Sequence, residues 1–223
     1  PRGLRRLFAA IMGRQGEART ELVQSVLRGS ERHVAEGGEF AAECTWALRL
    51  AAAYPGDAGM VVALLLNLMR LERGQAIYLA AGNLHSYLRG VGVEIMANSD
   101  NVLRGGLTPK HVDVPELLRV LSFDDGPALA IEARGSGPES IYSTPAEEFR
   151  LSRVVVGPHG FRAAERRGPE ILLTVEGGVT VRGVPRAEVH ELPKGASLFV
   201  PANAPEYDVA GQGVVFRATV GKV

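Results

Sequence analysis

The sequence contains one cysteine, Cys44, in 223 residues, so no disulfide can form within the chain. A lone cysteine of this kind reads as a small core residue and suits a reducing, cytoplasmic setting. Net charge is missing as well: 25 Lys and Arg stand against 25 Asp and Glu. That balance argues against a large basic face for nucleic acid or for an anionic membrane. Long apolar runs are absent. The longest, MVVALLL at 60–66, has seven residues, far below the roughly 20 that span a bilayer. The LFAAIM that follows the opening arginines is too short for the apolar region of a signal peptide. No HxH, HExxH or CxxC occurs, so the sequence displays no complete metal site.

What is there suits a globular chain of one or two domains. Apolar residues make up 46% and charged residues 22%, and the length is enough to bury a core. The first third repeats apolar residues at helical spacing: Leu4, Leu7, Phe8 and Ile11, then Leu22, Val23, Val26 and Leu27. A third helix is expected from about Phe40 to Tyr54, stopped by Pro55-Gly56. Asp57 can cap a fourth at about 58–70, which is apolar nearly all round and so should be buried. After Arg73 the period shortens. GQAIYLAAGNLH, GVEIMA, EFRLSRVVV, EILLTVEGGVTV and SLFVPA read as short strands broken by Gly and Pro, with one helix starting at Val112-Asp113-Val114-Pro115. Such a pattern suggests a sandwich or jelly roll.

A weak repeat sharpens this. Gly74-QAIYL and Gly195-ASLFV are each a glycine, a five-residue strand and a turn, with a polar residue eleven positions after the glycine: His85 in one copy, Glu206 in the other. The pattern resembles the second motif of cupins, small β-barrels that often carry a metal. Glu170, with Gly177 seven residues on, resembles the end of the first motif, but the histidines expected before it are replaced by AAERR. The resemblance implies a second cupin that is metal-free and structural. The expected architecture is mixed and mainly β: cupin-type jelly-roll barrels, one incomplete and one metal-free, with an α-helical region at the N-terminal end. The expected domains are helical 1–73, the remainder of a catalytic cupin over 74–127, and a C-terminal cupin-like β domain over 128–223.

The chain's unusual chemistry gathers in residues 80–113, AAGNLHSYLRGVGVEIMANSDNVLRGGLTPKHVD. A strand over 91–96 would turn Glu94 and Met96 to the face opposite Val93 and Ile95. Arg104 precedes two glycines that let a ligand approach the backbone. Lys110 can offer a point charge to a phosphate. By themselves these features are equally compatible with an ordinary polar loop.

Residues 54–123, together with the closing FVPANAPEYDV and GVVFRATV, resemble the type I phosphomannose isomerase family, and NSDNVLRGGLTPK is the most specific part. Family members interconvert mannose 6-phosphate and fructose 6-phosphate with one zinc ion. The resemblance implies that His85 is a zinc ligand and Arg104 a catalytic residue. It also puts Tyr87, Glu94, Asp100 and Lys110 along the substrate pocket. Glu94 is the candidate general base, as a carboxylate in a strand between His85 and Arg104, with a residue of the missing part of the enzyme as the alternative. The family's other three zinc ligands are a Gln-x-His pair and a glutamate, and this sequence has no Q-x-H. The expectation is therefore a C-terminal portion of a longer enzyme, with the other ligands upstream of Pro1. Its expected partners are a sugar phosphate and the missing part of the same enzyme, not nucleic acid or membrane. A non-catalytic cupin that binds sugar phosphate or serves as scaffold is the alternative. A different cupin enzyme, such as a dioxygenase or a nucleotide-sugar epimerase, is disfavoured by NSDNVLRGGLTPK.

Overall fold

The computed structural model describes residues 2–99, 102–124, 126–163, 168–183 and 188–221. In chain order the elements are α1 (Arg2–Met12), α2 (Gly16–Glu36), α3 (Ala41–Ala53), α4 (Gly59–Ala63), β1 (Gln75–Ile77), α5 (Val114–Val120), β2 (Ala130–Glu132), β3 (Glu139–Ile141), β4 (Phe149–Val156), β5 (Phe161–Ala163), β6 (Glu170–Gly183), β7 (Val189–Pro193), β8 (Ser197–Val200) and β9 (Tyr207–Val220). No helix among the described residues is long and apolar enough to cross a membrane. The fold is mixed and rich in antiparallel β structure, as the alternation after Arg73 implies.

The chain divides into two compact units. One comprises Pro1–Arg70, Leu79–Gly90 and Ser99–Ala128; the other comprises Leu71–Tyr78, Val91–Asn98 and Leu129–Val223. The segment 74–127, expected as the rest of one cupin, is thus shared between the units.

In the helical unit the apolar stripes meet as their spacing requires. Phe8 and Ile11 of α1, Val23 of α2, Ala47 of α3, Met60–Val62 of α4 and Leu117 of α5 form one core. Gly37 ends α2 in the left-handed conformation at φ 69°, its N–H bonded to the His33 carbonyl. Asp113 accepts the Glu116 N–H at 3.0 Å and caps α5, with Pro115 in the first turn. The fourth helix corrects the sequence reading. Expected over 58–70, it ends at Ala63, and the next three N–H groups bond three residues back, Leu64 to Val61, Leu65 to Val62 and Leu66 to Ala63. An apolar run reports burial, and tight turns bury leucines as well as a helix does.

In the β unit the main sheet has the order β3-β4-β9-β6-β7, with β5 also on β9 and β8 also on β6, all antiparallel. Strands β6 and β9 pair from Glu170↔Thr219 to Gly183↔Tyr207, with a bulge between Thr174 and Glu176. Gly177 follows the bulge at φ 64°, where a Cβ would lie 2.1 Å from the Gln212 carbonyl oxygen. Only glycine suits that bend. The inward positions, among them Val154, Val156, Leu172, Val179, Val181, Leu192, Val209 and Val215, build the core. Strands β1 and β2 form a separate ribbon.

Two strand expectations need correction. GQAIYLAAGNLH yields only the three residues of β1, and GVEIMA (91–96) forms no strand among the described residues. The alternation itself survives: Val93 and Ile95 are half-buried while Glu94 and Met96 are exposed. Period-2 patterning sets which side chains turn inward, but it does not supply a hydrogen-bonding partner.

Candidate functional site

Four of the described candidate residues, His85, Tyr87, Arg104 and Lys110, lie in the helical unit, and two of them, His85 and Arg104, sit on turns that the core holds from beneath. His85 belongs to the Gly82-Asn83-Leu84-His85 turn. Gly82 takes φ 83°, and a Cβ there would come 2.8 Å from the Val120 carbonyl oxygen at the end of α5. Its own carbonyl accepts the Ser122 N–H at 3.0 Å, and Asn83 Nδ2 donates to the Ala80 carbonyl at 3.1 Å. The turn is therefore fastened to the segment that follows α5.

Arg104 sits at the start of the second turn, Arg104-Gly105-Gly106-Leu107. Leu84 packs directly on Gly105, where a Cβ would fall 2.5 Å from Leu84 Cδ1. This contact brings the two turns together, because each of its partners is the chain neighbour of a candidate residue, His85 or Arg104. Leu84, Leu103 and Leu107 point into the helical core. The polar residues between them, His85 and Arg104, face outward and are exposed. The local rule is apolar anchor beside polar group, repeated on both turns.

His85 Nδ1 lies 3.0 Å from the Asn83 carbonyl oxygen. A carbonyl can only accept, so Nδ1 carries a proton, and in the neutral ring Nε2 is then the nitrogen with the lone pair. This is the arrangement in which a histidine ligates a metal. The Tyr87 ring meets the imidazole edge-on at 6.0 Å between centroids, and Tyr87 is 71% exposed. Lys110 is also exposed, in a turn where its N–H bonds to Thr108 Oγ1 at 3.1 Å. Glu94, the proposed base, lies in the β unit, exposed on its extended segment. Asp100 falls outside the described residues.

The described residues contain no group of three or more His, Cys, Asp or Glu able to hold a metal ion. His85 is fit to be one ligand of a zinc ion, but these residues do not by themselves compose a zinc site.

In the β unit, the two carboxylates at cupin-like positions are both engaged by arginines. Arg217, 2% exposed, gives Nε and Nη2 to the two oxygens of Glu170 at 2.9 and 2.7 Å, and Nη1 to Glu139 at 3.0 Å. The Tyr207 hydroxyl donates to Glu170 and the Ser152 hydroxyl to Glu139, both at 2.5 Å. Burial opposes the charge on Arg217, yet the hydrogen bond to Glu170 and the surrounding negative groups hold its pKa above the ordinary arginine value. Glu206 is taken by Arg162 at 2.8 Å, with Asp208 on the guanidinium's other side. That hydrogen bond, before the two carboxylates' charges, raises the Arg162 pKa.

No family model matches the chain. Individual proteins do. The chain is 34% identical over 218 residues to the mannose-6-phosphate isomerase of Escherichia coli, covering 96% of this chain and 53% of that protein. It is 35% identical over 210 residues to the bovine (Bos taurus) mannose-6-phosphate isomerase, covering 90% and 49%. A crystal structure of a phosphomannose isomerase variant from Salmonella typhimurium superimposes with a TM-score of 0.86 at 32% identity, over 99% of this chain and 55% of that one. The chain is a relative of the mannose-6-phosphate isomerases. A zinc-bound mannose 6-phosphate isomerase superimposes equally well, with a TM-score of 0.85 at 32% identity. The chain spans about half the length of the curated isomerases it matches.

The sequence reading missed the part played by Asp57. It was expected to cap the fourth helix, but the N-cap position of α4 is Ala58, with no side-chain cap bond, and Asp57 Oδ1 accepts the Gly59 N–H at 2.7 Å from one residue further out. Its Oδ2 also accepts the Leu107 N–H at 2.8 Å, fifty residues away. The local PGDAG pattern signals the first bond; nothing in it signals the second.

Proposed function

We propose that this chain carries part of the active site of an aldose–ketose isomerase that interconverts mannose 6-phosphate and fructose 6-phosphate through an enediolate. The observation that carries the proposal is the Leu84–Gly105 contact, which couples the His85 turn to the Arg104 turn. The kinship with mannose-6-phosphate isomerases supplies the reaction. In this reading His85 provides one ligand to zinc through Nε2, and the remaining ligands come from outside the described residues. Arg104 meets the negative charge that develops on the enediolate oxygens. Glu94 accepts the proton from one carbon and returns it to the next. Lys110 holds the phosphate, whose binding fixes the reacting carbons. Tyr87 and Asp100 complete the substrate wall.

Replacing Arg104 by alanine in the full protein tests this. Isomerisation should fall by about a hundredfold or more, in the range lost when one oxyanion donor is removed, with the melting temperature unchanged. Wild-type turnover in R104A would overturn the role. A second reading, a non-catalytic module, draws on the lack of a three-ligand group among the described residues. The same experiment separates it: sugar-phosphate binding with no turnover in the unmutated protein would favour the module.

A further inference from the structure

The elbow between α3 and α4 reads Pro55-Gly56-Asp57-Ala58-Gly59. One carboxylate there joins two segments that are far apart in sequence. Its bond to Gly59 N–H is local, the Asx-type turn that aspartate commonly makes. Its bond to Leu107 N–H is tertiary, reaching the turn that begins at Arg104.

That turn needs holding. Leu107 takes φ 54°, the one non-glycine with positive φ among the described residues, and a branched side chain resists that conformation. Gly106 takes φ 112°. A Cβ on it would come 2.9 Å from Gly59 Cα and 3.2 Å from Asp57 Oδ1. A Cβ on Gly59 would come 2.9 Å from Leu107 N. The two elbows thus lie backbone to backbone with no room for a side chain, and the Asp57 carboxylate is the polar link between them. Gly105 is held on another side by Leu84. The backbone after Arg104 is fixed by Asp57, Gly59 and Leu84, none of them among the candidate substrate-binding residues.

We infer that Asp57 is a positioning residue for Arg104. By pinning Leu107 N–H it holds the strained turn, and the turn aims the guanidinium. The helical segment before residue 73 then sets the geometry of the site as well as its support. This rests on the function proposed for Arg104.

The test is a double-mutant cycle in the full protein, reading kcat, KM for mannose 6-phosphate and melting temperature for D57N, R104A and the pair. Asparagine keeps the size of aspartate but offers an N–H where one of the two backbone N–H groups needs an acceptor. Misplacement of a catalytic group by about 1 Å can cost a hundredfold. D57N should therefore lower kcat about ten- to a hundredfold with KM little changed. In the R104A background it should cost little more, because residues that act as a unit give non-additive losses. A merely structural aspartate would give losses that multiply, together with a lower melting temperature, and that result overturns the inference. Unchanged kcat in D57N beside a crippled R104A overturns it too, while leaving the proposed function standing. Full activity in R104A removes both, and that arm alone decides it. D57S guards against misfolding of D57N. Its hydroxyl can still serve Gly59 but is too short to bridge to Leu107, so it should show the same fall in kcat.

Discussion

The two compact units treat their polar groups in opposite ways. In the β unit, Arg217, Glu170, Glu139, Tyr207 and Ser152 satisfy one another inside the protein. In the helical unit, His85, Arg104 and Lys110 face outward, and it is the backbone beneath His85 and Arg104 that is pinned. A buried group whose hydrogen bonds are all met by its neighbours has nothing left for a ligand. An exposed group on a fixed backbone keeps its bonding capacity and loses little freedom when a ligand arrives. The contrast marks the first cluster as architecture and the second as the candidate site.

The largest expected effect breaks the contrast from the architectural side. Arg217→Met leaves the buried Glu170 and the half-buried Glu139 without their cation. Removing one partner from a buried ion pair costs about 3–5 kcal/mol, so the variant should lose that much in a denaturant titration of the full protein. The matching change on the other side, Arg104→Met, removes an exposed group and should move stability by less than about 0.5 kcal/mol. Equal losses for the two would erase the distinction.

A smaller effect probes whether the two turns of the candidate site behave as one body. Gly105→Ala puts a methyl 2.5 Å from Leu84 Cδ1, so the end of the Leu84 side chain must shift where it packs beside His85. Overpacking of this sort costs about 1–3 kcal/mol. The amide signals of Asn83 and His85 should shift in an NMR spectrum along with those of Arg104 and Gly106. Shifts confined to 104–107 would mean that the turns are independent.

How much of this was legible in the sequence depended on how local the cause was. Helical spacing located α1, α2 and α3, and the Asp-x-Pro start located α5, because each signal lies within a few residues of its effect. Strands β4 and β6 were legible for the same reason. GVEIMA was misread because alternation fixes faces and says nothing about partners. Glu170 and Arg104 stood out through motif resemblance; Glu170 lies buried against Arg217, and Arg104 is exposed at the start of its turn. Arg217 lay unnoticed inside GVVFRATV, since its partners are 47 and 78 residues away. The Asp57–Leu107 bond spans 50 residues and was invisible for the same reason. Local chemistry nominated the outward-facing residues; only the tertiary structure shows what holds them.

The smallest expected effect concerns a fastening within the β unit. Tyr142 is buried, its ring stacked on Phe216 at 6.3 Å and 7°, and its hydroxyl donates to the Gly74 carbonyl at 2.8 Å. The bond ties the segment before β1 to the segment after β3. It is the β unit's counterpart of the Asp57 clamp, with a side chain holding a distant backbone group. It can be read through pH. Burial raises the Tyr142 pKa above its ordinary 10.0, against the opposing charge of Arg153. The folded protein therefore keeps this proton more tightly than the unfolded chain does. The resulting stabilisation is complete below pH 10.0 and is lost as pH rises through the higher folded value. Tyr142→Phe removes both the bond and the titration. At neutral pH it should cost about 1 kcal/mol, the net worth of one hydrogen bond. The stability gap between the two proteins should stay flat through neutral pH and narrow once pH passes about 10. A gap that stays constant in alkali would mean that the hydroxyl is not held as a buried donor, and the comparison with the Asp57 clamp would fail.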